Sequence, residues 1–189
     1  MTLFQNVRKG LLPARLTADE VYDLTAAGVL AEGEKFELID GEIVPRAAAK
    51  ANGHEQMKRK LVEALIMTRP RSAGVYVESS LTLDGRTLVE PDIAVWSAGG
   101  DSREVRGPDL LLVIEIADSS IAYDLRVKAP LYARFGIRDY WVVDAVRRTI
   151  RVHRAPQDEV YADVEEYEAH DSVAALLLED VEIRLDTLD

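Results

Sequence analysis

The chain has 189 residues, of which 48% are hydrophobic and 30% charged, with 11 Gly and 7 Pro, a composition that excludes collagen-like, low-complexity and wholly disordered proteins and fits one domain with one core. It has no cysteine and three histidines, so disulfides, thiolate zinc sites, cysteine nucleophiles and histidine-rich metal cages are all excluded. Its 23 Lys and Arg stand against 34 Asp and Glu, a net charge of −11 that repels a polyanion at long range and argues against nonspecific DNA coating. The longest apolar run, Val173 to Leu178, is far short of the ~18–20 residues that cross a bilayer, and no signal-peptide apolar core stands at the N-terminus, so the expected setting is cytoplasmic, with no membrane partner.

In chain order, residues 1–16 read as an arm carrying Arg8, Lys9 and Arg15. Thr17 with Glu20 forms a capping box that opens a short helix ending near Gly28. Residues 36–44 place two apolar runs around Asp40-Gly41, a hairpin signal. Asn52 is placed to cap a helix from about Gly53 to Thr68, in which Met57, Leu61 and Leu65 recur every four residues and His54 lies on the inner face of the first turn. Val75 to Leu83 and Leu88 to Trp96 flank Asp84-Gly85 as a second hairpin.

The aliphatic run Leu110 to Ile114 within 109–117 predicts a central strand buried on both faces. A helix follows over roughly 122–135, ended by Gly136, with Pro130 favouring a start near Arg126 so that Lys128 lies in the first turn. Strands are predicted at 140–143 and 149–153, and Val181, Ile183 and Leu185, alternating with acids, suggest one more at a sheet edge. No repeat or linker interrupts the chain, so residues 1–189 are taken as a single domain.

Two acids stand out. Asp92 follows Pro91 on a strand whose same-face neighbours include Leu88, Ala94 and Trp96, and Glu115 ends the most apolar strand. A lone buried carboxylate costs several kcal/mol, so each needs a partner. Either they emerge at strand ends and pair with surface Arg or Lys, or together they hold Mg2+, which needs one or two carboxylates with water and phosphate oxygens completing its shell.

Phe36 to Ile43, Glu90-Pro91-Asp92, Val113-Ile114-Glu115-Ile116, Ser119, Tyr123-Asp124, Lys128, Tyr132 and Gly136 to Asp144 resemble, in order and spacing, the Uma-two family of restriction endonucleases within the PD-(D/E)xK nuclease superfamily. The resemblance runs from about residue 16 to the C-terminus. It implies an α/β fold: a restriction-endonuclease-like core with a mixed central sheet flanked by helices, extended by an N-terminal helix and β-hairpin. It also implies a metal-dependent endonuclease that hydrolyses phosphodiester bonds of nucleic acid, most simply DNA, with Asp92 and Glu115 as ligands of Mg2+ or Mn2+, and Glu37 and His54 as further residues of the site.

The sequence departs from the superfamily pattern at Ala117, which stands where a lysine is expected two residues after Glu115. Lys128 matches the family's lysine in the next helix and is the candidate replacement; the alternative is a solvated helix lysine. Glu37 could instead be a hairpin residue paired with a base, and His54 a capping or packing histidine. Ser119 and Ser120 read as turn residues, and Tyr132, Tyr140 and Trp141 as core aromatics. Arg69, Arg71, Arg103, Arg106 and Lys58 are candidates for a local basic rim. Two rival functions stay open: a catalytically inactive nuclease-fold binding or assembly module, and a small-molecule or sugar hydrolase using paired carboxylates as acid and base. A homodimer is the expected assembly, as it is for most soluble oligomers.

Overall fold

The computed structural model of the chain describes residues 9–10, 15–30, 35–46 and 52–188; most of the arm at 1–16, including Arg8, lies outside them. The fold divides into two compact units, residues 1–50 with 80–90, and residues 51–79 with 91–189.

In the first unit, helix α1 (Ala18–Ala26) opens with the capping box: Thr17 Oγ1 accepts the Glu20 N–H at 3.2 Å, and the Glu20 carboxylate accepts the Thr17 N–H at 2.7 Å. Strands β1 (Phe36–Ile39) and β2 (Glu42–Pro45) form the predicted hairpin. Its turn needs positive φ at both central residues, supplied by Asp40 (52°) and Gly41 (84°). Strands β4 (Leu81–Asp84) and β5 (Thr87–Val89) complete a four-stranded sheet ordered β2-β1-β5-β4, whose small core is Leu16, Val21, Leu30, Leu38 and Leu88.

The second unit carries a six-stranded mixed sheet ordered β10-β9-β8-β7-β6-β3. Its strands are β3 (Ala73–Val77), β6 (Ile93–Ser97), β7 (Leu112–Ala117), β8 (Asp139–Asp144), β9 (Thr149–Gln157) and β10 (Val160–Tyr167). Only β7 and β8 run parallel, joined by the helical stretch 121–134, here α3. Strand β7 is central and buried throughout, as its aliphatic run predicts. Helix α2 (Asn52–Thr68) lays Met57, Leu61 and Leu65 on the sheet face formed by Ile93, Val95, Ile114 and Ile116. Asn52 is its first helical residue rather than its cap. Among the described residues no helix is long and apolar enough to cross a membrane.

Two strand predictions are corrected. The long hairpin over 75–96 is two strand pairs in two sheets: β4 with β5, and β3 with β6. The interruptions are chemical: Pro91 has no N–H to continue a ladder, and Glu78, opposite Asp92, sits at φ 48°, a conformation closed to regular strand. The edges of the six-stranded sheet are β10 and β3, not the tail. Residues Val173–Ala174 (β11) and Glu182–Ile183 (β12) instead pair with each other, and their buried side chains join the core.

Candidate active site

The site is built where β6 begins and β7 ends. These strands pair antiparallel with Ile93 opposite Ile114 and Ala94 opposite Val113; continuing that register by one residue puts Asp92 opposite Glu115. Directly opposed residues share a face, with Cβ atoms about 5 Å apart. Both carboxylates are buried, 3% and 2% exposed. Asp92 Oδ2 accepts the Ile116 backbone N–H at 2.8 Å and lies 3.1 Å from His54 Nε2. An ionised carboxylate only accepts, so the His54 ring donates. The other ring nitrogen, Nδ1, faces Glu55 Oε1 at 3.2 Å.

Glu115 is held by α3. Its Oε1 accepts from Lys128 Nζ at 2.8 Å and from the Tyr132 hydroxyl at 2.7 Å, and neither donor is more than 2% exposed. Ala117 is fully buried in the same strand, and the ammonium its position lacks is delivered to Glu115 by α3. Thus α2 presents a histidine to one acid and α3 a lysine to the other.

The helix carrying Lys128 departs from the predicted form. It spans 121–134, close to the expected 122–135 and without the late start near Arg126, and passes through Pro130 by way of a π-helical segment, Asp124–Lys128, before the α segment Ala129–Arg134. In a regular α-helix the Pro130 ring would press on the Arg126 carbonyl, and a widened turn relieves that clash. Lys128 and Tyr132, four residues apart, then share one face and converge on one oxygen. Asp124 is also buried, its Oδ2 accepting from Ser120 Oγ at 2.7 Å, which gives Ser120 the turn role expected of it.

Beside His54, Lys58 Nζ donates to Glu55 at 2.9 Å and to Glu78 at 2.7 Å. Burial pulls the Lys58 pKa down, but the bonds to Glu78 and Glu55 outweigh it, and the net direction is upward. Glu37 belongs to the first unit, 1% exposed; its Oε1 accepts the Glu90 N–H at 3.3 Å and lies 4.0 Å from Arg46 Nε.

Of the anticipated basic rim, Lys58 stands near His54, while the four arginines do not frame these acids. Arg69, Arg71, Arg103 and Arg106 sit in the connections at the Ala73, Ser97 and Leu112 ends of β3, β6 and β7, the end of the sheet remote from Asp92 and Glu115. Arg69 and Arg106 donate to backbone carbonyls there. Sequence reasoning missed Tyr132 as a partner of Glu115, although its spacing from Lys128 is the signal that finds it. It also missed Asp139, which is fully buried and accepts from Trp141 Nε1 at 2.8 Å, Arg154 Nε at 2.9 Å and the Leu176 N–H at 2.7 Å.

A family model described as "Putative restriction endonuclease", Uma2, matches residues 18–186. The chain belongs to the Uma2 family. Among solved structures, a protein from Anabaena variabilis ATCC 29413, titled a putative nuclease belonging to DUF820, superposes with a TM-score of 0.71 over 92% of this chain and 97% of that one at 19% identity. At that identity the likeness is one of fold, and it agrees with the mixed α/β architecture of this Uma2 chain. No curated protein matches it. Glu115 and Lys128, both among the residues quoted for the family resemblance, form a buried ion pair in this Uma2 fold.

Proposed function

We propose that this Uma2 protein is a divalent-metal-dependent endonuclease acting on DNA, with Asp92, Glu115 and Lys128 as its catalytic centre. The observation that carries the reading is the buried convergence of Lys128 Nζ and Tyr132 on Glu115 Oε1, with Asp92 opposite Glu115 on the neighbouring strand. The donor set suits Mg2+ or Mn2+, because two hard carboxylates from adjacent strand ends are the usual protein share of such a shell. Among the described residues no group of three or more His, Cys, Asp or Glu forms a cage, so water and a phosphate oxygen would complete the coordination.

Asp92 and Glu115 would hold the ion, which supplies Lewis-acid polarisation of the phosphate and a more acidic water. The protein does the rest. The Ile116 amide and His54 fix the rotamer of Asp92, while Lys128 and Tyr132 fix that of Glu115. The Lys128 ammonium, already desolvated, offsets negative charge developing on the phosphate. Glu37 is assigned no step; one of its carboxylate oxygens accepts the Glu90 N–H and lies 4.0 Å from Arg46 Nε. A cytoplasmic setting and a two-fold homodimer belong to the same proposal, a dimer being the economical way to cut both strands of a duplex.

The test is cleavage of supercoiled plasmid and of single-stranded oligonucleotides in Mg2+ or Mn2+, with Asp92→Asn and Lys128→Met beside wild type. Cleavage by wild type, lost in both variants, supports the reading. The non-catalytic module, favoured by Ala117 and the net charge of −11, gains if nucleic acid binds and wild type never cuts.

A further inference from the structure

The lysine of the proposed centre reaches Glu115 through an unusual helix, and a residue outside that helix holds it. The π-helical segment Asp124–Lys128 is closed by the Ala129 N–H donating to the Asp124 carbonyl, five residues back. That carbonyl also accepts from the hydroxyl of Tyr140, on β8, at 3.2 Å. Tyr140 is fully buried, and its ring meets the Tyr132 ring edge-on at 4.9 Å and 81°. Tyr132 in turn bonds Glu115. The circuit therefore closes: Glu115 to Tyr132, Tyr132 to Tyr140, Tyr140 to the π turn, and the π turn to Lys128 and back to Glu115.

We propose that Tyr140 is a positioning residue for Lys128, its hydroxyl stabilising the widened turn that aims the ammonium at Glu115. Relaxing a π turn to α geometry removes one residue from the turn, which rotates the helix after it by about 100° relative to the part before it. Ser120 and Asp124 anchor the earlier part, so the later part would carry Lys128 away from its carboxylate. A backbone carbonyl with two donors has more reason to keep that geometry than one with a single donor. The nearby Tyr161 supplies the contrast: its ring lies 6.2 Å from that of Tyr140, but its hydroxyl donates to Ile137 O at 2.9 Å rather than to the Asp124 carbonyl.

The inference deepens the nuclease reading and rests on it for its catalytic meaning. Its decisive readout does not need cleavage. In the 15N-labelled full chain, the Ala129 amide exchange rate and the ammonium signal of Lys128, assigned by its loss in Lys128→Met, are compared in wild type, Tyr140→Phe and Tyr161→Phe. Tyr140→Phe keeps the ring and removes one oxygen. The expected result is Ala129 exchange faster by about fivefold, the worth of one net hydrogen bond, with the Lys128 signal broadened by exchange with water, while Tyr161→Phe changes neither. Cleavage by Tyr140→Phe should fall by a similar factor in kcat with KM unchanged. Wild-type exchange and an intact Lys128 signal in Tyr140→Phe would overturn the proposal, as would equal loosening in Tyr161→Phe. If wild type itself cuts nothing, the nuclease reading fails, and the two NMR signals still decide whether Tyr140 positions the lysine.

Discussion

Lys128 and Glu115 form an ion pair that the fold has almost wholly desolvated, with both side chains 3% exposed and Nζ to Oε1 at 2.8 Å. At an effective dielectric constant of about 20, that distance corresponds to about 6 kcal/mol of attraction. Desolvating the two charges costs several kcal/mol each, so the intact pair contributes little net stability. Removing one partner is another matter, because the desolvation cost of the survivor remains while the attraction is gone. Lys128→Met or Glu115→Gln alone should therefore destabilise the second unit by about 3–5 kcal/mol, a fall in Tm of about 10 °C for a chain of this size. The double variant, with a neutral pair of similar volume, should recover most of the loss. Urea titrations without divalent metal give all four values of the cycle. Additive losses in the double variant, or single losses below about 1 kcal/mol, would show that the pair is solvent-screened and would remove the buried ammonium from the mechanism.

Three more predictions concern metal, acid and the C-terminal region. Millimolar Mg2+ or Mn2+ should raise the Tm by mass action, by up to about 3 kcal/mol of added stability at a hundredfold excess over Kd, and Asp92→Asn should abolish the rise, as differential scanning calorimetry would show. Burial pushes His153 down to about 4 from its ordinary 6.5, so the unfolded chain takes up a proton first and stability should decline as the pH falls from about 6.5 towards 4, by up to about 3 kcal/mol from this group; His153→Phe should flatten that part of a urea-denaturation pH series. Asp139→Asn should cost roughly 2–3 kcal/mol, since it strips the counter-charge from a partly solvated Arg154, and because Asp139 also accepts the Leu176 amide, limited proteolysis should then cut within residues 168–181 first.

The fold was legible in the sequence where one face or both had to be apolar. The run ending in Glu115 announced a central strand, the Met57, Leu61, Leu65 stripe announced α2, and Asp40-Gly41 announced its hairpin. Strand β10 left no such trace because, as an edge hairpin arm with Asp163, Glu165 and Glu166 in solvent, it has little apolar alternation to show. The split of the long hairpin was written in Pro91, but its other half lies in the positive φ of Glu78, which no residue preference for glutamate predicts. The two acids of the candidate site were visible as polar residues in apolar strands. Their partners were only half visible: Lys128 came from the family pattern, while the π turn that seats it is contacted by Tyr140, whose ring meets Tyr132 in space. The rim arginines misled because sequence proximity to the strands says nothing about which strand end they occupy.

The central claim is that Asp92 and Glu115 hold one divalent ion while Lys128 serves the chemistry beside it. Mn2+ binding followed by electron paramagnetic resonance, run in parallel with plasmid cleavage on the same samples, tests both halves at once. The account predicts one tight Mn2+ per chain in wild type, its loss in Asp92→Asn and Glu115→Gln, and in Lys128→Met binding that is retained or tighter, because a neighbouring cation has been removed, with cleavage abolished. Cleavage that survives in Lys128→Met at the wild-type rate, or Mn2+ that binds Asp92→Asn and Glu115→Gln as tightly as wild type, would contradict it.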